Sequence, residues 1–153
     1  MGLFSFIKNA GASIMSGFSS ESPEEKAAKQ ADQIREHVEK FELEIEDLEV
    51  SVQDETVTLK GKANSQADKE KIVLAAGNVE GISSVEDLIE IEEPEPEAQF
   101  HTVVSGDTLG KIAKKFYGNA MKYPVIFEAN KPMLKSPDLI YPGQVLRIPP
   151  IVG

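Results

Sequence analysis

Few side chains in this 153-residue chain have the types and spacing that catalysis requires. Its two histidines, His37 and His101, lie on separate segments, and it contains no cysteine. This composition argues against a histidine-rich metal site, thiol chemistry and a disulfide framework. The carboxylates of residues 42–49 are interpreted as a solvated acidic run. Because the sequence has no Ser/His/Asp set, phosphate loop or metal-ligand spacing, we expect a binding protein and not an enzyme.

Two turn motifs in the last third of the chain are more informative. SGDTL occupies residues 105–109, after a β-prone run, and IYPGQ occupies residues 140–144, before a final predicted strand. Between the motifs, apolar residues recur at the spacing of two short helices: Leu109, Ile112, Ala113, Phe116, then Tyr123, Ile126, Phe127. The predicted order is therefore β-α-α-β, with Asp107 or Thr108 capping the first helix.

Residues 100–153 resemble a LysM domain, and both turn motifs are specific to that family. The resemblance implies binding of N-acetylglucosamine polymers in a groove between two loops. The positions it implies for this groove are Gly106, Asp107, Thr108, Leu109, Asn130, Pro132 and Ile140. The alternative is that these residues only build the fold, because a domain this small uses most of its motif for folding.

Residues 22–91 form a second predicted unit with the order α-β-β-α-β. Ser22 opens a capping box with Pro at the first helical position, and a hairpin turn is predicted at residues 53–55. Asn64 or Ser65 caps a second helix over residues 66–76. On the hairpin at residues 50–61 and the segment at 77–85, this unit resembles a BON domain, which implies membrane or phospholipid association. The predicted fold class is α+β, with two small domains.

Charge is divided unevenly between the two units. From residue 99 onward the chain has seven basic and three acidic residues, a net charge of +4, whereas the remainder carries −14. An acidic surface disfavours nucleic-acid binding, which needs Lys and Arg to neutralise phosphate. Residues 92–99 are predicted to be a stiff acidic linker containing proline. Opposite charges on either side of a short linker favour an intramolecular contact between the BON-like and LysM-like units.

Residues 1–21 are predicted to pack on the BON-like unit. They lack the basic region and cleavage site of a signal peptide, and no apolar run in the chain is long enough to span a bilayer, so we expect a cytoplasmic protein. An apolar stripe leaves a membrane anchor as an alternative: Leu3, Phe4, Ile7, Ile14 and Phe18. The acidic net charge argues against this anchor, because anionic lipid would repel the protein.

A BON-like unit, an acidic linker and one C-terminal LysM-like unit together resemble a family of small bacterial cytoplasmic potassium-binding proteins. This resemblance covers the whole chain. It implies that the protein binds K⁺ and changes shape on doing so. Ion binding would then shift the population of arrangements of the two units.

Proteins select K⁺ mainly with clustered backbone carbonyls, because the ion is large and weakly hydrated. Carbonyls converge at tight bends, where glycine is favoured, and residues 7–12 and 77–82 both contain such bends. Our hypothesis is a cage of main-chain oxygens from Ile7, Ala10, Ala12, Gly77, Val79 and Ile82. The simpler interpretation makes Gly77 a helix C-cap and Gly81 a turn glycine, and either role is compatible with an ion site.

Overall fold

A computed structural model describes residues 2–14, 22–92 and 98–150. Ten helices and strands, with two short 3-10 helices, form two units within these ranges, and the buried apolar residues form two clusters. The predicted α+β class is confirmed. Phe18 and residues 93–97 of the predicted linker lie outside the described ranges.

The first unit contains two helices and a four-stranded sheet. After strand β1 (Gly2–Ser5) come helix α1 (Pro23–Glu39), β2 (Ile45–Gln53), β3 (Thr56–Ala63), α2 (Gln66–Gly77) and β4 (Ser84–Ile91). The strand order is β1-β4-β3-β2, with β3 and β4 parallel and the other pairs antiparallel. Helix α2 is therefore the crossover that a parallel pair requires, and the predicted α-β-β-α-β order is confirmed.

Polar caps start the helices where the sequence predicts them. The hydroxyl of Ser22 accepts a hydrogen bond from the N–H of Glu25, and Ser65 accepts one from Asp68. Both bonds satisfy backbone donors that the first helical turn leaves free. The hairpin between β2 and β3 turns through two residues, with Asp54 in the left-handed conformation at φ +56°.

Strand β1 was not predicted. It pairs with the outer edge of β4, with Gly2 opposite Asp87 and Ser5 opposite Ser84. Phe4 points to the core side of this strand and packs edge-to-face on Phe100, with ring centroids 4.9 Å apart. Leu3, on the other side, is 68% exposed. The predicted apolar stripe of the N-terminal residues is thus divided between two faces and does not form one membrane-facing surface in the described ranges.

The second unit is a two-stranded antiparallel sheet with two helices. Strand β5 (Gln99–Thr102) pairs with β6 (Val145–Ile148), and between them lie α3 (Leu109–Tyr117) and α4 (Tyr123–Ala129). The 3-10 helices are Ala120–Lys122 and Pro137–Leu139. Thr108 caps α3 by accepting from the N–H of Lys111, and Gly118 ends the helix with φ +74°.

The two cores are not fully separate, because three residues of the second unit pack into the core of the first. Val145 is buried in that cluster, and Phe100 and Met133 pack against it. The remaining core of the second unit is built on Leu109, Ile112 and Ile126. In the described parts of the chain, no helix is long and apolar enough to cross a membrane.

Candidate functional site

Residues 6–12 lie against the loop that follows α2, residues 78–83, and four backbone hydrogen bonds join them. The N–H of Phe6 donates to the carbonyl of Ser83 (2.9 Å), and that of Ala12 donates to Asn78 (3.0 Å). In the opposite direction, the N–H of Glu80 donates to Ala12 (2.9 Å) and that of Gly81 to Lys8 (2.6 Å). The structure therefore brings together the two bends in which the carbonyl cage was predicted.

The six predicted carbonyls differ in how much hydrogen bonding they already have. Those of Ile7, Ala12 and Val79 each accept one backbone bond, from Ala10, Glu80 and Ile82 respectively. Since a carbonyl oxygen has two lone pairs, each keeps one for another partner. Within the described residues, we find no backbone N–H that donates to Ala10, Gly77 or Ile82. Among the described residues, all six oxygens thus keep at least one lone pair that no backbone N–H occupies.

Glycine is required at two positions in these segments because the chains approach closely. A Cβ atom at Gly77 would lie 2.1 Å from Cζ of Phe6, and one at Gly11 would lie 2.5 Å from the carbonyl carbon of Asn78. Gly77 is the last residue of α2, and its C-cap is Asn78, so the interpretation of Gly77 as a C-cap is wrong. Gly81 has φ +101°, as a turn glycine requires.

One polar contact at this site was missed by the sequence analysis. The ammonium of Lys8 forms an ion pair with the carboxylate of Glu55 in the β2–β3 turn. The hydrogen bond from Lys8 lowers the pKa of Glu55 below its usual value. The carbonyl of Glu55 also accepts from the N–H groups of Ser83 (2.9 Å) and Ser84 (3.3 Å). The hairpin turn therefore contacts both residues 6–12 and the end of the 78–83 loop. The sequence positions of Lys8 and Glu55 do not indicate that these two side chains meet.

The second unit touches the same loop through the side chain of Asn78. Its amide donates to the carbonyl of Val145 and accepts from the N–H of Val145, both at 2.9 Å. A buried ion pair provides another contact, with Nε and Nη2 of Arg147 donating to Oε1 of Glu70 at 3.0 and 2.8 Å. The other oxygen of Glu70 accepts from the N–H of Ala98 at 2.9 Å. The contact between the units thus includes a specific pairing as well as opposite net charges.

A cleft of about 250 Å³ lies between the units, beside the predicted cage. Residues from both units line it, among them Gly11, His37, Phe41, Asn78, Tyr141 and Gln144. Burial, reinforced by the charge of Lys40, lowers the pKa of His37 below 6.5. Burial also raises the pKa of Tyr141. Both shifts disfavour a charged side chain at this boundary.

The predicted glycan groove is only partly assembled as expected. A separate cleft of about 480 Å³ is lined by Asp107, Thr108, Leu109 and Ile140, together with Tyr123 and Asp138. Gly106 and Pro132 do not line it.

Asn130, also predicted for the groove, is instead buried. Its amide nitrogen donates to Ile126 and Arg147, and its oxygen accepts from the N–H of Arg147 at 2.9 Å. It joins α4 to β6 because the buried backbone groups there need partners. Among the described residues, no three His, Asp or Glu side chains are grouped as a metal site would require.

Comparison with known proteins agrees with both units of the fold. The BON domain family matches residues 26–93 and the LysM domain family matches residues 101–149. The potassium binding protein Kbp of Escherichia coli is 47% identical over 150 residues, which cover 97% of this chain and 99% of that protein. The chain belongs to the Kbp family. The match with Kbp covers nearly the entire chain, so it includes residues that precede the BON domain.

Other relatives match less of the chain. An uncharacterized protein of Deinococcus radiodurans is 32% identical over 119 residues, 71% of this chain and 46% of that protein. The esterase Rv1288 of Mycobacterium tuberculosis is 45% identical over 53 residues, which cover 35% of this chain and 11% of the esterase. So short a match does not assign the activity of the esterase to this chain.

Proposed function

We propose that this chain is a cytoplasmic potassium-binding and potassium-sensing protein. The ion would be held by the backbone carbonyls of the proposed cage: Ile7, Ala10, Ala12, Gly77, Val79 and Ile82. The observation that carries the proposal is the near full-length similarity to the potassium binding protein Kbp. The hydrogen bonding between residues 6–12 and the 78–83 loop supports the choice of carbonyls.

The chemistry of these segments suits a large monovalent cation. Carbonyl dipoles bind K⁺ with a small cost for removing its weakly held water. The net charge of −14 before residue 99 raises the local concentration of cations around the first unit. Because the proposed ligands are uncharged, the site would not attract divalent cations as strongly as a carboxylate cluster does.

Sensing would require the ion to alter the contact between the units. Asn78 belongs to the loop that supplies two proposed ligands, Val79 and Ile82, and its side chain also pairs with Val145 of β6. An ion that orders this loop would therefore favour the docked arrangement of the second unit. By linkage, K⁺ favours the docked arrangement only to the extent that it binds the docked protein more tightly than the undocked protein.

Thermal unfolding in KCl and in NaCl at equal ionic strength tests the ion. Specific binding to the folded state raises the melting temperature in KCl alone, with a stabilisation of about 2.7 kcal/mol at a hundred times Kd. Choline chloride at the same ionic strength controls for screening. Equal melting temperatures in all three salts would exclude a potassium site.

NMR titration then tests the residues. K⁺ should shift the amide signals that follow the proposed carbonyls, such as Lys8, Gly11 and Asn78, while those of α3 stay in place. Shifts confined to other parts of the chain would reject this cage and leave the ion to be placed elsewhere.

Glycan binding is a second candidate, supported by the 480 Å³ cleft that includes Asp107, Thr108, Leu109 and Ile140. The test is co-sedimentation with insoluble peptidoglycan. Retention that is lost in Tyr123→Ala, a substitution at an exposed residue lining the cleft, would support it, and the absence of the protein from the pellet would exclude it.

A further inference from the structure

The IYPGQ turn of the second unit packs directly on residues 6–12. A Cβ atom built on Gly143 would lie 2.5 Å from Cβ of Ala10 and 3.4 Å from Cβ of Ile7. Carbon atoms in ordinary contact are about 3.5–4.0 Å apart, so the absence of a side chain at Gly143 permits this approach. Ala10 and Ile7 both supply proposed ligands.

Hydrogen bonds within the second unit fix the IYPGQ turn. The N–H of Gly143 donates to the carbonyl of Val103 at 2.8 Å, and the N–H of Gln144 donates to Tyr141 at 3.1 Å. Val145, two residues after Gly143, is paired with Asn78. A group added to Gly143 would therefore displace Ala10 more easily than it would displace the turn.

Residues 10 and 11 are enclosed on two sides. Gly11 lies against the backbone of Asn78 and Val79, where an added Cβ would be within 2.5–2.8 Å of main-chain atoms. Ala10 meets Gly143. Residue 12, directly after this segment, is fixed to the 78–83 loop by the Ala12–Asn78 and Glu80–Ala12 hydrogen bonds.

We propose that Gly143 is a positioning residue of the ion site, and that the LysM turn forms its outer wall. This inference rests on the proposed potassium cage. Gly143 does not bind the ion; its contact holds the Ile7 and Ala10 carbonyls at the separation that K⁺ requires. The affinity of the first domain for K⁺ then depends on a residue of the second domain.

The test compares two glycine-to-alanine substitutions in the full-length chain. Gly143 has φ +90° and Gly106 has φ +91°, so both substitutions impose similar backbone strain in the same domain. An added Cβ at Gly106 meets nothing within 4 Å, whereas one at Gly143 meets Ala10. We expect Gly143→Ala to weaken K⁺ binding, measured by calorimetry, by about tenfold or more, a size typical of coupling between sites. Gly106→Ala should bind K⁺ like the unaltered protein.

A second variant separates the contact from a folding defect. Ala10→Gly removes the methyl group that Gly143→Ala would meet and leaves the Ala10 carbonyl in place. The double variant Ala10→Gly/Gly143→Ala should therefore recover most of the K⁺ affinity, even if Gly143→Ala alone does not fold.

The inference is overturned if Gly143→Ala binds K⁺ as tightly as Gly106→Ala, or if the double variant remains as weak as Gly143→Ala. These results differ from a failure of the proposed function, in which the unaltered protein itself shows no heat of K⁺ binding.

Discussion

The side-chain amide of Asn78 forms two hydrogen bonds with the backbone of Val145 in β6: it donates to the carbonyl and accepts from the N–H, each at 2.9 Å. Both hydrogen bonds connect positions 67 residues apart in the sequence. Asn78 is also the C-cap of α2, and its own carbonyl accepts from Ala12. One residue thus joins a helix end, residues 6–12 and the second unit.

Asn78→Ala should destabilise the protein and weaken its response to potassium. The two groups of Val145 lose their partner in a part-buried site, so we expect a loss of about 1–3 kcal/mol in the free energy of unfolding, measured in urea. The rise in melting temperature on exchanging NaCl for KCl should shrink as well.

Asn119→Ala is the matched control, because Asn119 caps the Ala120–Lys122 helix within the second unit. It should cost about 1 kcal/mol and leave the potassium response unchanged. A full potassium response in Asn78→Ala would contradict the coupling.

Arg147→Met should be among the most destabilising substitutions. It leaves the carboxylate of Glu70, whose side chain is 3% exposed, without its cationic partner. Breaking a buried pair in this way costs about 3–5 kcal/mol, to be measured by urea unfolding.

The double variant Glu70→Gln/Arg147→Met tests the reason for that loss. The amide oxygen of the glutamine at position 70 can still accept from the N–H of Ala98, and neither substituted position carries a charge. We expect it to be more stable than Arg147→Met. If the double variant is the less stable of the two, the charge of Glu70 is not the source of the penalty.

Gly77→Ala should destabilise the first unit, although alanine is normally the better helix former. The added methyl group would overlap the ring of Phe6, with 2.1 Å to Cζ, and overpacking of this kind costs about 1–3 kcal/mol. Gly110→Ala, within α3, is the control because its nearest contact would be 3.8 Å away.

We expect Gly110→Ala to be neutral or to stabilise the protein by up to about 1 kcal/mol. Thermal unfolding measures both variants, and Phe6→Leu combined with Gly77→Ala should restore part of the loss. Equal effects of Gly77→Ala and Gly110→Ala would show that Phe6 adapts without cost.

Stability should decline as the pH falls below about 6.5, the ordinary pKa of histidine. Burial lowers the pKa of His37 in the folded protein, so the unfolded chain takes up a proton that the folded chain resists. The sign follows from linkage, since stability rises with pH wherever the unfolded state binds more protons.

His37→Gln should reduce this dependence between pH 7.5 and 5.5 in thermal unfolding. Asp107 titrates below this range, because hydrogen bonds from Val104 and His101 lower its pKa below 3.8. An unchanged slope in His37→Gln would assign the pH dependence to other groups.

The sequence predicted those elements that local chemistry specifies. Caps at Ser22, Ser65 and Thr108 appear where their side chains can accept from helical N–H groups. Strand β1 was missed, because a four-residue strand at a sheet edge is specified by its pairing with β4 and not by its own pattern.

The candidate site was only partly predictable for a similar reason. Glycine-containing bends indicated residues 7–12 and 77–82, and these segments do meet. The interpretation of Gly77 as a helix C-cap was wrong, and the burial of Asn130 was not foreseen, because close packing on Phe6 and burial between α4 and β6 depend on tertiary structure. Neither environment produces a sequence pattern that would distinguish Gly77 from a helix cap or Asn130 from a loop residue.

The pairing of β1 with β4 also constrains the order in which the chain can assemble. Gly2 pairs with Asp87, so β1 has no partner until α1, the hairpin and α2 have placed β4 in the sheet. Pairing β1 with β4 closes a long loop, and the few contacts that β1 makes offset little of the entropy that this closure costs. The first residues should therefore dock last and detach first, and the amides of β1 and residues 6–12 should exchange hydrogen faster than those of β3.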